Sequence, residues 1–285
     1  MSFSTYVTAW GSNPLDTIQD MFNKSAINAN SRVILAFASF NFSSTTYIPG
    51  LSDLTMDQVK QITNLVHQHN ASISLSIGGA TYPFAGSDLY SKPGDLASNI
   101  NTVLNTCGFD GVDFDIEDPG ASSPSDFVNN TSSLINTLRS LNNNLHITLT
   151  TAAQAWAPGM WQQPVINMTI GNLNAWQPME YDLWVDPTTD YFNQIEYDIN
   201  FYINTWSVDP NKIVMGLMPG LDDMKRNLSL QDALNLTTFA EQKGLQGVMT
   251  WDANNDSMGV DGNAPYAYSM GIISQLNKTT SSCCF

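Results

Sequence analysis

The stretch FDGVDFDIED, Phe109 to Asp118, sets five carboxylates in ten residues and threads Val112, Phe114 and Ile116 between them. A solvated acidic run has no reason to interleave large apolar residues, but a β-strand has, because its side chains alternate faces. Val112, Phe114 and Ile116 then share one face, and Asp113, Asp115 and Glu117 share the other. Neighbours in that acidic column stand roughly 6.6 to 7 Å apart, with Glu117 nearest the C-terminal end of the strand. Burying such a column is costly, since desolvation and like charge both raise carboxyl pKa values. Groups that hold a proton near neutral pH suit general acid catalysis.

Strand-like apolar runs recur on both sides of this one: TYVTAW (5–10), RVILAFASF (32–40), SISLSIGG (72–79), HITLTTAAQAW (146–156), WQPMEYDLW (176–184), KIVMGLMPG (212–220) and GVMTWD (247–252). With GVDFDIE (111–117) they make eight. Segments of helical period lie between them. In the clearest, Met56, Val59, Ile62 and Val66 form one stripe behind a Thr55/Gln58 capping box. Similar stripes run through Phe127, Leu134, Leu138 and Leu141, through Phe192, Ile195 and Ile199, through Leu230, Leu234 and Phe239, and through Tyr268, Ile272 and Leu276. Alternation of this kind predicts a parallel α/β fold, and eight units predict a closed (β/α)8 TIM barrel. No linker-like stretch divides the chain, so residues 1–278 are expected to form one catalytic domain and 279–285 a flexible tail. An open doubly wound sheet is the alternative, but AWGSNP after the first strand is no phosphate loop.

Within a barrel the active site collects at the C-terminal rim of the strands. Strand four therefore points Asp113, Asp115 and Glu117 inward and delivers Glu117 to the mouth, while its apolar face holds the strand to its helices. Composition narrows the ligand: a net charge of −16 with only ten Lys and Arg argues against nucleic acid or an anionic membrane and favours a neutral or cationic partner. No transmembrane run is present, no metal-ligand spacing appears, and Cys107, Cys283 and Cys284 are too unevenly placed for a disulfide framework. Cys107 reads as a small core residue. An EF-hand frame on the acidic stretch fails for want of Gly at the sixth position and Glu at the twelfth.

DGVDFDIE resembles the D-x-x-D-x-D-x-E signature of family 18 glycoside hydrolases, the chitinase family. SIGG (76–79) resembles that family's third-strand motif, MEYD (179–182) its sixth-strand motif, and GVMTW (247–251) the end of its eighth strand. The four occur in the family's order, each on the expected strand. The resemblance implies a chitinase acting on β-1,4-linked N-acetylglucosamine by a substrate-assisted, retaining mechanism, with no cofactor and no metal. It makes Glu117 the general acid/base, Asp115 the group that orients the acetamido substituent, Asp113 its proton-sharing partner, and Tyr181 a donor to the acetamido carbonyl. Met179 and Asp182 would line the pocket, and Trp251 would floor the reacting sugar. Trp10 and Trp156, at predicted strand ends, are candidate stacking surfaces, as is Trp184. Asp110 falls outside the alternating register and is expected to give structural support, as are Ser76, Gly78 and Gly79. His67 and His69 are expected to face solvent, and His146 to begin a strand at the opposite end of the barrel.

Two rivals share parts of this pattern. An endo-β-N-acetylglucosaminidase acting on N-glycans has the same strand-four signature, and a non-catalytic chitin-binding lectin has the same fold, though such lectins typically replace the final acid that is present here as Glu117. The segment Asp222 to Gln246 has room for little more than one helix, which predicts an open groove, without an α+β wall, and endo cleavage. The expected partner is chitin or a chito-oligosaccharide, and the expected state a monomer. Asn-x-Ser/Thr triplets are frequent, for example at Asn23, Asn41, Asn70, Asn167, Asn227, Asn235 and Asn277, and accompany an expected extracellular location, although no signal peptide is visible.

Overall fold

In a computed structural model, residues 1–51, 54–117, 120, 123–153, 161–183 and 190–282 are described, with side chains as far as residue 278. Ten strands alternate with nine α-helices among these residues. The strands are β1 (Ser2–Thr8), β2 (Ser31–Ala38), β3 (Ser72–Gly78), β4 (Gly111–Ile116), β5 (His146–Ala152), β6 (Ala175–Met179), β7 (Val214–Leu217), β8 (Gly220–Leu221), β9 (Asn227–Leu228) and β10 (Gly247–Thr250). The helices are α1 (Pro14–Asn23), α2 (Met56–Gln68), α3 (Pro93–Cys107), α4 (Pro124–Leu141), α5 (Gln162–Thr169), α6 (Tyr191–Asn204), α7 (Leu230–Lys243), α8 (Ala253–Asp256) and α9 (Ala267–Ser282). Eight strands close into a parallel barrel in the order β1-β10-β7-β6-β5-β4-β3-β2, and β8 and β9 form a separate antiparallel hairpin.

Local chemistry starts and stops the helices. The expected capping box is present: Thr55 Oγ1 accepts from Gln58 N–H at the head of α2, and Gln58 Oε1 accepts from Thr55 N–H. Asn13, Ser123, Asp190 and Ser229 cap α1, α4, α6 and α7, and left-handed Gly108 and Gly244 end α3 and α7. Alternation then sorts the strands. Val112, Phe114 and Ile116 of β4 lie in the large apolar layer between barrel and helices. Each such burial contributes about 1.5 to 3 kcal/mol. Tyr6, Ile34, Ala36, Ala175, Val214 and Met249 form a much smaller apolar cluster that excludes the acidic side of β4.

The closed end of the barrel is held by cations that cap carbonyl oxygens. Arg139 donates to the carbonyls of Asn143, Leu145 and Asn172, Lys212 to that of Leu173, and Arg32 to the hydroxyl of Ser74. His146 begins β5 there, and burial together with Arg32, Arg139 and Lys212 lowers its pKa to about 3.

The barrel strands are shorter than the apolar runs that announce them. β5 ends at Ala152 and β6 at Met179, where the sequence extends strand-like to 156 and 184. At the rim, where the ladder ends, Ala152, Ala153, Met179 and Tyr181 line a cavity; residues 154–160 and 184–189 lie outside the described residues. α9 runs to Ser282, past the boundary at 278 expected for a flexible tail. No helix among the described residues is long and apolar enough to cross a membrane.

Candidate active site

β4 places its three inward acids in three different environments. Asp113, deepest, accepts five hydrogen bonds. Tyr6 Oη and Ser76 Oγ donate to Oδ2, both at 2.7 Å, and Thr148 Oγ1, Thr150 Oγ1 and Gln177 Nε2 donate to Oδ1 at 2.7, 2.8 and 3.2 Å. Burial raises its pKa, and the hydroxyl donors pull it back. Asp115, one layer higher, is equally buried, but its Oδ1 has no partner among the described residues. Burial, then Glu117 and Asp113, push its carboxyl well above the ordinary range. Of the two, Asp115 is the more strongly raised, since it lacks the hydroxyl donors that oppose the rise at Asp113. Glu117 lies just past the end of β4 and is partly exposed; burial raises its pKa, with Asp182 and Asp223 adding to the rise and the backbone of Ala80 opposing it.

Close packing at the end of β3 depends on two glycines, Gly78 against β4 and Gly79 against Phe37 of β2. A Cβ on Gly78 would run into the carbonyl oxygen of Asp115, and one on Gly79 would come within 2.7 Å of the Phe37 ring. Both have positive φ, which glycine adopts without strain. The Gly79 N–H donates to Asp115 O at 2.9 Å, fixing the backbone under the acids.

The opposite wall comes from β6 and β10. Met179 ends β6 and Tyr181 follows it, both buried and both lining the same cavity as Asp115 and Glu117. Glu180 between them is fully buried beside Asp198 of α6, on the other side of the strand. Asp182 turns the chain with a φ of 54° and ties to the β8–β9 hairpin: its N–H donates to Asp222 Oδ2 at 3.0 Å, and its Oδ1 accepts from Asp223 N–H at 2.7 Å. Trp251 follows β10, stacks on Phe37 at 5.4 Å and meets Tyr6 edge-on at 5.2 Å. Trp10, 50% exposed, continues the aromatic surface by stacking on Phe37 at 5.9 Å.

These groups enclose a cavity of about 320 Å³ lined by Asp115, Glu117, Met179, Tyr181, Asp182 and Trp251, with Trp10, Phe37, Ala80, Thr81, Ala152, Ala153 and Asp223 completing the wall. Its chemistry is a proton donor at the rim, an unpartnered buried acid below it, a phenol opposite and an indole floor. Asp113 and the Ser76 hydroxyl bonded to it do not line the space.

Asp110 stands apart from the cavity. Its Oδ2 accepts from Ile73 N–H at 2.8 Å and pairs with His67 Nε2 at 3.0 Å, tying β3 and α2 to the start of β4. His67 and His69 are exposed as expected, but neither is idle: His67 holds Asp110, and His69 stacks on Phe22 at 3.9 Å. Trp156 and Trp184 lie outside the described residues. The sequence patterns leave Tyr6, Phe37, Thr148, Thr150, Gln177 and Asp223 unassigned. The threonines alternate in HITLTTA as the acids alternate in β4, a signal present in the sequence itself; nothing local marks Tyr6 or Asp223.

Three structures illustrate the architecture. Active domain 2 of a thermostable chitinase from Pyrococcus furiosus, solved as catalytic-site mutants with chito-oligosaccharides, matches with a TM-score of 0.78 at 16% identity, over 98% of this chain and 95% of that one. A GH18 chitinase from Pseudoalteromonas aurantia matches with 0.76 at 18%, over 96% and 100%. A Group IV chitinase from Ostrinia furnacalis, in complex with allosamidin, matches with 0.74 at 16%, over 97% and 99%. At these identities the likeness is one of fold. A search of curated proteins found no match. The profile of glycosyl hydrolases family 18 matches residues 2–220, which takes in β4, the Gly-Gly turn and MEYD, and the chain therefore belongs to that glycoside hydrolase family.

Proposed function

We propose that the protein is a chitinase that hydrolyses β-1,4-linked N-acetylglucosamine polymers internally and with retention, using the substrate's own acetamido group as nucleophile. The observation that carries this reading is the pairing of Glu117 at the rim with the buried, unpartnered Asp115 in a cavity shared with Tyr181 and Trp251. Glu117, its pKa raised by burial, gives its proton to the glycosidic oxygen as the bond to the anomeric carbon breaks. The acetamido carbonyl oxygen, accepting from the Tyr181 hydroxyl, bonds to that carbon and forms an oxazolinium ring. Asp115 faces the amide N–H. At rest the five donors keep the acid pair's charge on Asp113; the developing cation draws it to Asp115. Water then attacks the anomeric carbon, Glu117 takes its proton, and the ring reopens to the acetamide.

The chitinases among the structural neighbours, one with chito-oligosaccharides and one with allosamidin, support the choice of substrate class. The presence of Glu117 favours an enzyme over a lectin. With this reading go the absence of any cofactor requirement, a monomeric state and an extracellular location, checked by activity in chelator, by size-exclusion chromatography and by assay of culture medium.

The test is product analysis. Soluble chito-oligosaccharides should be cleaved with the β-anomer seen first by NMR, and a thiazoline mimic of the intermediate should inhibit competitively. Cellulose and fully deacetylated chitosan should be inert, because an intramolecular nucleophile is worth roughly 7 to 11 kcal/mol. An α-anomer as first product, or similar rates on cellulose oligomers, would overturn the mechanism. Preference for a high-mannose glycopeptide would replace the substrate.

A further inference from the structure

Tyr181 stands where the barrel ladder no longer holds the chain. β6 ends at Met179, and the last main-chain bond from this segment to β7 among the described residues is Glu180 N–H to Gly216 O at 3.0 Å. Just past Tyr181 the backbone turns left-handed at Asp182, with a φ of 54°. That conformation is uncommon outside glycine and persists where the surroundings hold it. The direction of the Tyr181 side chain is thus set by two anchors, the Gly216 carbonyl before it and whatever fixes Asp182 after it.

What fixes Asp182 is a buried carboxylate that does not line the cavity. Asp222, 3% exposed, follows β8 and opens the turn of the hairpin. Its Oδ2 accepts from Asp182 N–H at 3.0 Å and from the Tyr191 hydroxyl at 3.1 Å, and its Oδ1 accepts from Arg226 N–H at 2.8 Å. The Tyr191 hydroxyl also lies 3.2 Å from Glu180 O, so Asp222 and Tyr191 together hold the chain on both sides of Tyr181. The hairpin is braced in turn: Asp222 N–H donates to Arg226 O at 2.8 Å, and the Arg226 guanidinium lies 5.7 Å from the Tyr191 ring centre. Of the three bonds to the Asp222 carboxylate, only that from Arg226 is internal to the hairpin; the others cross 40 and 31 residues of sequence to the segment between β6 and α6. Such a hub calls for a carboxylate, because both of its oxygens accept and an amide has only one that does.

We propose that Asp222 is a positioning residue for the reaction: its carboxylate fixes the turn at Asp182 and thereby aims the Tyr181 hydroxyl at the acetamido carbonyl. The inference rests on the chitinase reading, in which Tyr181 donates to that carbonyl as it attacks the anomeric carbon. A donor displaced by about 1 Å can cost roughly a hundredfold in rate, so an anchor outside the cavity can matter as much as a wall residue.

The experiment is a double-mutant cycle read in kcat on soluble chito-oligosaccharides, with thermal melts beside it. Asp222→Asn keeps the volume but accepts at one atom only, so kcat should fall roughly tenfold or more while KM changes by less than about threefold. Tyr181→Phe removes the donor itself and should also be impaired. In that background Asp222→Asn should cost no more than about a further twofold, since no hydroxyl is left to aim. Tyr191→Phe takes one donor from the same carboxylate and answers where Asp222→Asn does not fold; its loss, about threefold, should vanish likewise beside Tyr181→Phe. Losses that multiply in the double variants would overturn the proposal, because they mark a general loosening of the rim. Wild-type kcat in Asp222→Asn and Tyr191→Phe beside an impaired Tyr181→Phe would overturn the positioning role and leave the chitinase reading intact. Wild-type turnover in Tyr181→Phe would overturn both the positioning role and the assisted mechanism on which it rests.

Discussion

Asp113 and Asp115 stand two residues apart on one strand and have opposite surroundings, and that contrast is where the proposed chemistry lies. Five donors converge on Asp113, so its charge is satisfied by the protein; Asp115 has an oxygen with no partner among the described residues. Replacing Asp115 by Asn should therefore leave the fold intact and impair turnover severely, because the amide cannot take up charge beside an oxazolinium. Replacing Asp113 by Asn turns a donor toward hydroxyls already committed to donating, and should lower stability by about 1 to 3 kcal/mol as well. Thermal melts beside kcat separate the two, and a marginally stable but fully active Asp115→Asn protein would remove that residue from the reaction. Glu117→Gln keeps size and loses the transferable proton, so kcat should fall by roughly 10²-fold to 10⁴-fold with an unchanged melt. Near-normal turnover in a folded Glu117→Gln protein would move the acid elsewhere.

Elements convert these residue environments into a site, and they do so at their ends. Glu117, Tyr181 and Trp251 each follow the last ladder residue of a strand by one or two positions. β3 approaches closely enough to support them only because Gly78 lacks a side chain. Gly78→Ala sets a methyl group against the Asp115 carbonyl, and the strand end must shift. The expected result is a loss of activity larger than the loss of stability, read as kcat falling tenfold or more at temperatures well below the melt; a variant equal to wild type would mean the approach is not needed. Strand periodicity makes most of this arrangement legible, because inward acids and outward Val112, Phe114 and Ile116 follow from alternation alone. α1 and α3 are absent from the helical stripes expected of the sequence although their signals exist, Pro93 and Gly108 bracketing Leu96, Ile100 and Val103 in the second case. The hairpin at 220–228 is not legible, since strands of two residues carry no period. Asp223 is hidden with it, as are the donors to Asp113 that come from β1, β5 and β6, which only closure of the barrel brings together.

Taken as a whole, the molecule shifts seven of its carboxyls in the same direction. Asp113, Asp115, Glu117, Glu180, Asp182, Asp252 and Asp256 are all raised, in each case chiefly by burial. A carboxyl raised in the folded state keeps its proton at pH values where the unfolded chain, with ordinary values near 3.8 for Asp and 4.5 for Glu, has released it. The unfolded state then binds fewer protons, and stability falls as pH rises. The contribution is complete below the unfolded values and is lost progressively above them, until each folded pKa is passed. His146 works in the opposite direction, because its folded pKa is lowered to about 3 from 6.5, so stability rises with pH across that interval and is unaffected by it above. One histidine opposes seven carboxyls up to pH 6.5, and none does beyond it. Thermal stability should therefore peak on the acid side, near pH 4 to 5, and the midpoint should drop by roughly 5 °C or more by pH 8, where self-repulsion of the −16 charge adds to the loss. Glu180, fully buried beside Asp198 and outside the cavity, isolates the cause. Glu180→Gln keeps the volume and removes one titration, so its melting temperature should gain on the wild type steadily as pH is raised from about 4.5 to 8. Two melting curves that stay parallel across that range would show that Glu180 ionises as readily in the folded protein as in the unfolded chain, and a maximum at neutral pH would remove the buried carboxyls as the source of the dependence.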